Sequence, residues 1–100
     1  MLRWTTPALE DLKNILEYFA AEDEEASEQI AGAFKEASRQ LKQFPRIGMQ
    51  GRVPGTRELF LPRYPFVFIY RQKNVHIEIL RLLHTHQQWP KNIVKDPFMV

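Results

Sequence analysis

The chain has 100 residues, 44% of them apolar, enough for one small domain with a single core. It contains no cysteine, which excludes a disulfide framework, a thiolate nucleophile and a cysteine-ligated zinc, and no apolar run approaches the roughly 18 residues of a membrane span. The net charge of +2 conceals a polarity: residues 1–38 carry three bases against nine acids, net −6, and residues 39–100 carry eleven bases against three acids, net +8.

From the amino terminus, "LRW" is a candidate short strand. "TTPALEDL" then reads as a helix start, with Thr6 as N-cap, Pro7 at the first helical position and Glu10 and Asp11 in the first turn, against the positive end of the macrodipole. Leu9, Leu12, Leu16 and Phe19 follow at three- and four-residue spacing and make one apolar stripe that ends near Ala20. The acidic run Glu22 to Glu25 suits a connection or the first turn of a second helix. That second helix is marked by Ala26, Ile30, Ala33, Phe34, Ala37, Leu41 and Phe44, and Pro45 stops it. Two such helices joined by a short turn form an antiparallel hairpin.

Beyond Arg46 the periodicity changes. "RIGMQGRVPGT" holds three of the four glycines and reads as a loop. "TRELFL", "PFVFIYRQ" and "VHIEILRLL" are rich in β-branched and aromatic residues and read as strands. Lys73 and Asn74 form a tight turn between the last two, Asn being tolerant of positive φ. The last strand is apolar on both faces, with Val75, Ile77, Ile79 and Leu83 on one and Leu80 and Leu82 on the other, which marks a central strand. The expected fold is α+β: an N-terminal short strand and an antiparallel helical hairpin packed on a small, mostly antiparallel sheet of three to four strands. All of residues 1–100 belong to one domain, with 91–100 a tail of no assignable role. The amino terminus lacks the basic-then-apolar layout of a signal peptide, so a cytoplasmic location is expected, with no membrane association.

Candidate chemistry lies in the basic half. A cationic surface meets an anion, either nucleic acid or an acidic protein segment, unless the charges are simply solvated. Arg57, Arg71 and Arg81 sit on neighbouring strands, where guanidinium groups can grip phosphate or carboxylate in bidentate fashion. The alternative pairs Arg57 with a local acid such as Glu78 and leaves Arg71 solvated at a turn. His84 and His86, two apart behind Arg81, are open to three readings: general acid and base with Arg81 and Arg57, a packed or hydrogen-bonded strand end, or metal ligands. Two histidines without a nearby carboxylate or cysteine make a poor metal site, so no metal and no cofactor is expected. Trp89 reads as a cap on the core, and Tyr64, Phe66, Phe68 and Tyr70 as core and cross-strand packing.

Together, "WTTPALEDLKNILEYFA", "GRVPGTREL", "YPFVFIYR" and "VHIEILRLLHTHQQWP" resemble the RelE/ParE superfamily of type II toxin–antitoxin toxins, the plasmid stabilization proteins, from Leu2 to about Pro90. The resemblance implies a toxin neutralised by a cognate antitoxin, with operator DNA reached only through that antitoxin. RelE-like members cut messenger RNA on the ribosome; ParE-like members inhibit DNA gyrase without catalysis. The basic residues that RelE-like toxins place on their middle strands fall around Glu58, Phe60 and Val67 here. A carboxylate and two hydrophobes cannot stabilise the extra negative charge of a phosphorane. The ParE-like reading is therefore preferred, with Arg52, Arg57, Arg63, Arg71 and Arg81 as the surface for target or antitoxin. Ribosome-dependent mRNA cleavage through Arg57, Arg81, His84 and His86 stands as the alternative.

Overall fold

The computed structural model describes residues 1–90 and 93. The elements run β1 (Leu2–Trp4), α1 (Thr6–Glu22), α2 (Glu24–Gln43), β2 (Met49–Gln50), β3 (Arg57–Phe60), β4 (Phe66–Lys73) and β5 (His76–His84). The five strands form one sheet in the order β1-β5-β4-β3-β2, with β1 parallel to β5 and every other pair antiparallel. The α+β fold is as expected. The additional strand is β2, two residues inside the glycine-rich loop, too short to show an alternating pattern.

The start of α1 differs from the sequence reading by one residue. Thr5 caps the helix: its backbone is extended and its Oγ1 accepts from the N–H of Ala8 at 3.3 Å. The same hydroxyl lies 3.0 Å from the carbonyls of Ile79 and Leu80, and the Thr5 N–H donates to Ile79 at 3.1 Å. Thr5 is thus cap and sheet anchor at once, and tertiary hydrogen bonds decide between two adjacent threonines that local propensity cannot separate. Glu10 and Asp11 consequently lie beyond the first turn, which holds no acid. The apolar face is also rotated: Ala8, Leu12, Ile15, Leu16 and Phe19 pack on the core, and Leu9 is exposed.

Helix α1 continues to Glu22, past the expected end at Ala20, and Asp23 alone joins the two helices. Its N–H donates to Phe19 at 2.8 Å to close α1, and its carboxylate accepts from Glu25 N–H at 3.0 Å to open α2. Glu24 and Glu25 then occupy the first turn of α2, where acids favour the macrodipole. Ser27 locks the hairpin by donating its hydroxyl to the Leu16 carbonyl at 3.0 Å. Ile30, Phe34, Ala37 and Leu41 are buried under the sheet; Phe44, beyond the last helical residue, turns outward.

On the sheet, Phe66, Phe68 and Tyr70 of β4 meet Ile77, Ile79 and Leu82 of β5 beneath the helices, with Trp4 and Phe34 edge-on or tilted against Phe68. The side-chain alternation of β5 breaks once. Tyr70 pairs with Ile79 and Ile69 pairs with Arg81, so Leu80 is an extra residue. This bulge moves Leu82 to the helix-covered face and puts Leu83 with Leu80 on the opposite one, reversing the face assignment made from strict period two. The β4–β5 turn is likewise displaced by one: Lys73 pairs with His76, leaving Asn74 and Val75 as the loop, with Asn74 at φ 57°. Strand β5 is internal, as expected, with β4 at the sheet centre.

The face away from the helices has its own small cluster of Val67, Ile69, Leu80, Leu83 and Ile93, with Trp89 packed against it. Trp89 therefore caps a core, though not the main one. The remainder of the 91–100 tail lies outside the described residues.

Candidate functional site

Helix α2 and strand β3 do not close against each other completely. Between them, and bounded by the α2–β2 and β3–β4 connections, runs an open groove of about 360 Å³. Its floor and walls include Ala33 and Ala37 of α2, Leu59 and Phe60 of β3, and Ile47, with Arg63 and Tyr64 at the β3–β4 end. Small residues on the helix leave the space, and large ones on the rim stay in water: Ile47 is 44% exposed and Phe60 39%. An apolar trough with an exposed arginine beside it suits an amphipathic peptide segment better than a small polar substrate.

The Ile47 wall is held by a buried polar node. The Tyr70 hydroxyl accepts from Gly48 N–H at 2.9 Å and donates to the Pro45 carbonyl at 2.9 Å, and Arg57 Nη1 donates to the Gly48 carbonyl at 2.8 Å. Position 48 must lack a side chain, because a Cβ there would sit 2.7 Å from the Tyr70 hydroxyl oxygen. Burial pushes the Tyr70 phenol above its usual pKa, so it stays protonated and keeps its donor role.

The other arginines are placed as follows. Arg81 makes a fork-to-fork pair with Asp11 of α1, Nε to Oδ2 at 2.7 Å and Nη2 to Oδ1 at 2.8 Å; Oδ2 also accepts from the Leu82 N–H at 3.0 Å. The Asp11 carboxylate raises the Arg81 pKa further above its ordinary value. Arg71 donates from Nε to Glu78 Oε1 at 2.8 Å, a pair only 15% and 19% exposed. Arg52 lies 3.7 Å from the buried carboxylate of Glu58, donates its backbone N–H to it at 2.8 Å, and stacks 3.9 Å above the Trp89 ring centroid. Arg57 meets the Gly48 carbonyl in place of the expected acid, and Arg71, expected to be solvated at a turn, pairs with Glu78. Of the five, Arg63 lines the groove and is exposed; Arg52 is also exposed, away from it.

The two histidines lie together at the end of β5. His84 packs edge-on against Phe66, ring centroids 5.5 Å apart, and its Nδ1 accepts from the His86 N–H at 3.1 Å; the two rings are 5.4 Å apart. That hydrogen bond requires an unprotonated Nδ1. The four catalytic candidates do not converge. Arg57 is level with Tyr70 and His84 with Phe66, four residues along β4, or about 13 Å. Among the described residues no group of three or more His, Cys, Asp or Glu is arranged to hold a metal ion. No helix among them is long and apolar enough to cross a membrane.

Asp11, Glu58 and the Tyr70 hydroxyl are the site-shaping groups that sequence reasoning passed over. Asp11 had a readable signal: it lies three residues after Ala8 and four before Ile15, on the buried side of α1, where a carboxylate needs a partner.

Comparison with known proteins places this geometry. The model of the family described as ParE toxin of type II toxin-antitoxin system, parDE, matches residues 2–89. "Putative toxin Y4kP" of Sinorhizobium fredii (strain NBRC 101917 / NGR234) is 37% identical over 90 residues, covering 90% of this chain and 93% of that protein. A solved chain of the chromosomal ParDE TA system from P. aeruginosa aligns with a TM-score of 0.78 at 31% identity, over 85% of this chain and 95% of its own length. The chain belongs to the ParE toxin family and is a toxin of the type II toxin–antitoxin class.

Proposed function

We propose that this toxin inhibits DNA gyrase by docking, without catalysis, and that a cognate antitoxin silences it by seating an amphipathic segment in the groove between α2 and β3. One observation carries the noncatalytic reading. Arg81, the arginine nearest in sequence to the histidine pair, is held in a bidentate pair by Asp11 through Nε and Nη2. A guanidinium held that way is tied down by a mostly buried carboxylate, and turning its paired edge toward charge developing on a phosphorane would break that pair. The positions where an RNA-cleaving relative carries bases point the same way. Glu58 is buried and occupied by Arg52, and Val67 is fully buried.

The antitoxin reading rests on family membership and on the groove, whose exposed apolar rim offers anchors to a segment that folds on binding. Expressed alone, the chain should arrest growth; coexpressed with the open reading frame beside its gene, it should copurify in a tight complex and growth should recover. Purified toxin should block gyrase supercoiling and leave ribosome-bound message intact. Cleavage of that message with supercoiling unaffected would replace this reading with the endoribonuclease one.

A further inference from the structure

Helix α2 carries a second hollow on its outer side, which adjoins the groove at Glu36 and is otherwise lined by different residues. It measures about 340 Å³ and is lined by Gly32, Lys35, Glu36, Ser38, Arg39 and Lys42, with no apolar side chain larger than a methylene stem. Lys35, Arg39 and Lys42 fall at i, i+4 and i+7, so they form one stripe about 10 Å long. Glu36 pairs with Arg39 at 2.6 and 3.0 Å, and Gln43 adds a third contact at 3.3 Å, so Lys35 and Lys42 carry the stripe's excess positive charge. Three bases against one acid leave +2 at the hollow, and exposed Arg46 lies in the turn after the helix.

Gly32 supplies an independent observation. Glycine weakens a helix interior, and the chain usually accepts that where a neighbour needs the space. Here a Cβ at position 32 would meet nothing within 4 Å, so no part of the described chain accounts for the missing side chain. A bare stretch of backbone among cations is what an approaching partner would exploit.

We propose that this face of α2 docks the phosphodiester backbone of duplex DNA, independently of base sequence, and so brings the toxin onto the DNA that gyrase handles. This rests on the gyrase reading above for the choice of DNA. The lining argues for phosphate over a protein partner: protein interfaces centre on aromatic and aliphatic anchors, which this hollow lacks, whereas phosphate contacts are made by Lys, Arg, Ser and close-approaching backbone. A stripe of about 10 Å spans roughly three phosphates of one strand at 3.4 Å of axis each.

The experiment is fluorescence anisotropy of a short mixed-sequence DNA duplex titrated with the purified chain over a series of salt concentrations, without gyrase. Wild type should bind with a steep salt dependence. Lys35→Gln with Lys42→Gln should weaken binding about tenfold at low salt and reduce the log–log salt slope by about 2. Gly32→Leu, which favours the helix and fills the hollow, should weaken binding several-fold with folding intact by circular dichroism. Binding unchanged in both variants, no binding by wild type at low salt, tighter binding to duplex RNA, or equal capture of poly-glutamate would each overturn the proposal. Supercoiling inhibition, measured separately on wild type, keeps the two readings apart. Inhibition without DNA binding removes only the docking face, and DNA binding without inhibition removes only the gyrase target.

Discussion

The two faces of the sheet solve the same problem with different materials. Under the helices, Phe66, Phe68, Tyr70, Ile77, Ile79 and Leu82 form a continuous apolar layer, and each polar group admitted there ties down a loop: Tyr70 holds the α2–β2 turn, and Thr5 holds the start of α1. The opposite face is divided. One end is the cluster of Val67, Ile69, Leu80 and Leu83 beneath Trp89 and Ile93; the other is charged, with Arg71 on Glu78 and Arg3 3.1 Å from His76. The covered face therefore accounts for most of the stability, and the thinly covered one depends on a few side chains. Breaking a contact on each face measures that difference.

The largest effect should come from Asp11→Ala, which strikes the bond joining α1 to the β5 bulge. It leaves the mostly buried Arg81 without a counter-charge and removes the Leu82 N–H acceptor, so unfolding free energy should fall by about 3 kcal/mol in urea titration. Asp11→Asn keeps an oxygen for Leu82 and should lose about half as much. Equal losses in the two variants would mean that the charge contributes nothing.

Trp89→Ala should come next, at about 2 kcal/mol, since the ring is half-buried and its removal opens the apolar end of the far face to water. Tyr70→Phe should cost about 1.5 kcal/mol by leaving the Gly48 N–H without its acceptor. The phenol also carries a pH signature. Its pKa is higher in the folded protein than when unfolded, so above the ordinary value of 10.0 the unfolded chain releases a proton that the folded chain retains. Stability should accordingly decline more steeply above pH 10.0 in wild type than in Tyr70→Phe, and parallel curves would contradict the raised phenol.

What could be read in advance follows from how local each feature is. The helical hairpin, the strands β3 to β5 and the burial of the aromatic run are written in periodicity, and family resemblance reached the same fold. The choice of Thr5 over Thr6 depends on the Ile79 and Leu80 carbonyls, 74 and 75 residues away, while the bulge at Leu80 and the two-residue strand β2 lie within hairpins where the pairing is irregular or too short to leave a pattern. The site was less legible still. Sequence marks which residues are arginines but not which carboxylates lie opposite them, so Glu78 pairs with Arg71 where the sequence pointed to Arg57, and the groove, made by the small size of Ala33 and Ala37, had no motif to announce it.

The smallest effect is the most informative about mechanism. Replacing His84 and His86 with Ala removes an edge-on contact to Phe66 worth about 1 kcal/mol, and also the Nδ1 acceptor that organises the strand end. Because β5 stays anchored by β1, β4 and Asp11, the double variant should fold with a modestly lower midpoint. A docking toxin would then inhibit supercoiling as strongly as wild type per folded molecule. A toxin that used imidazole for proton transfer would instead lose about a hundredfold or more in activity at unchanged fold, since general acid–base groups contribute at least that factor. The ratio of lost activity to lost stability thus separates a histidine that packs from one that reacts.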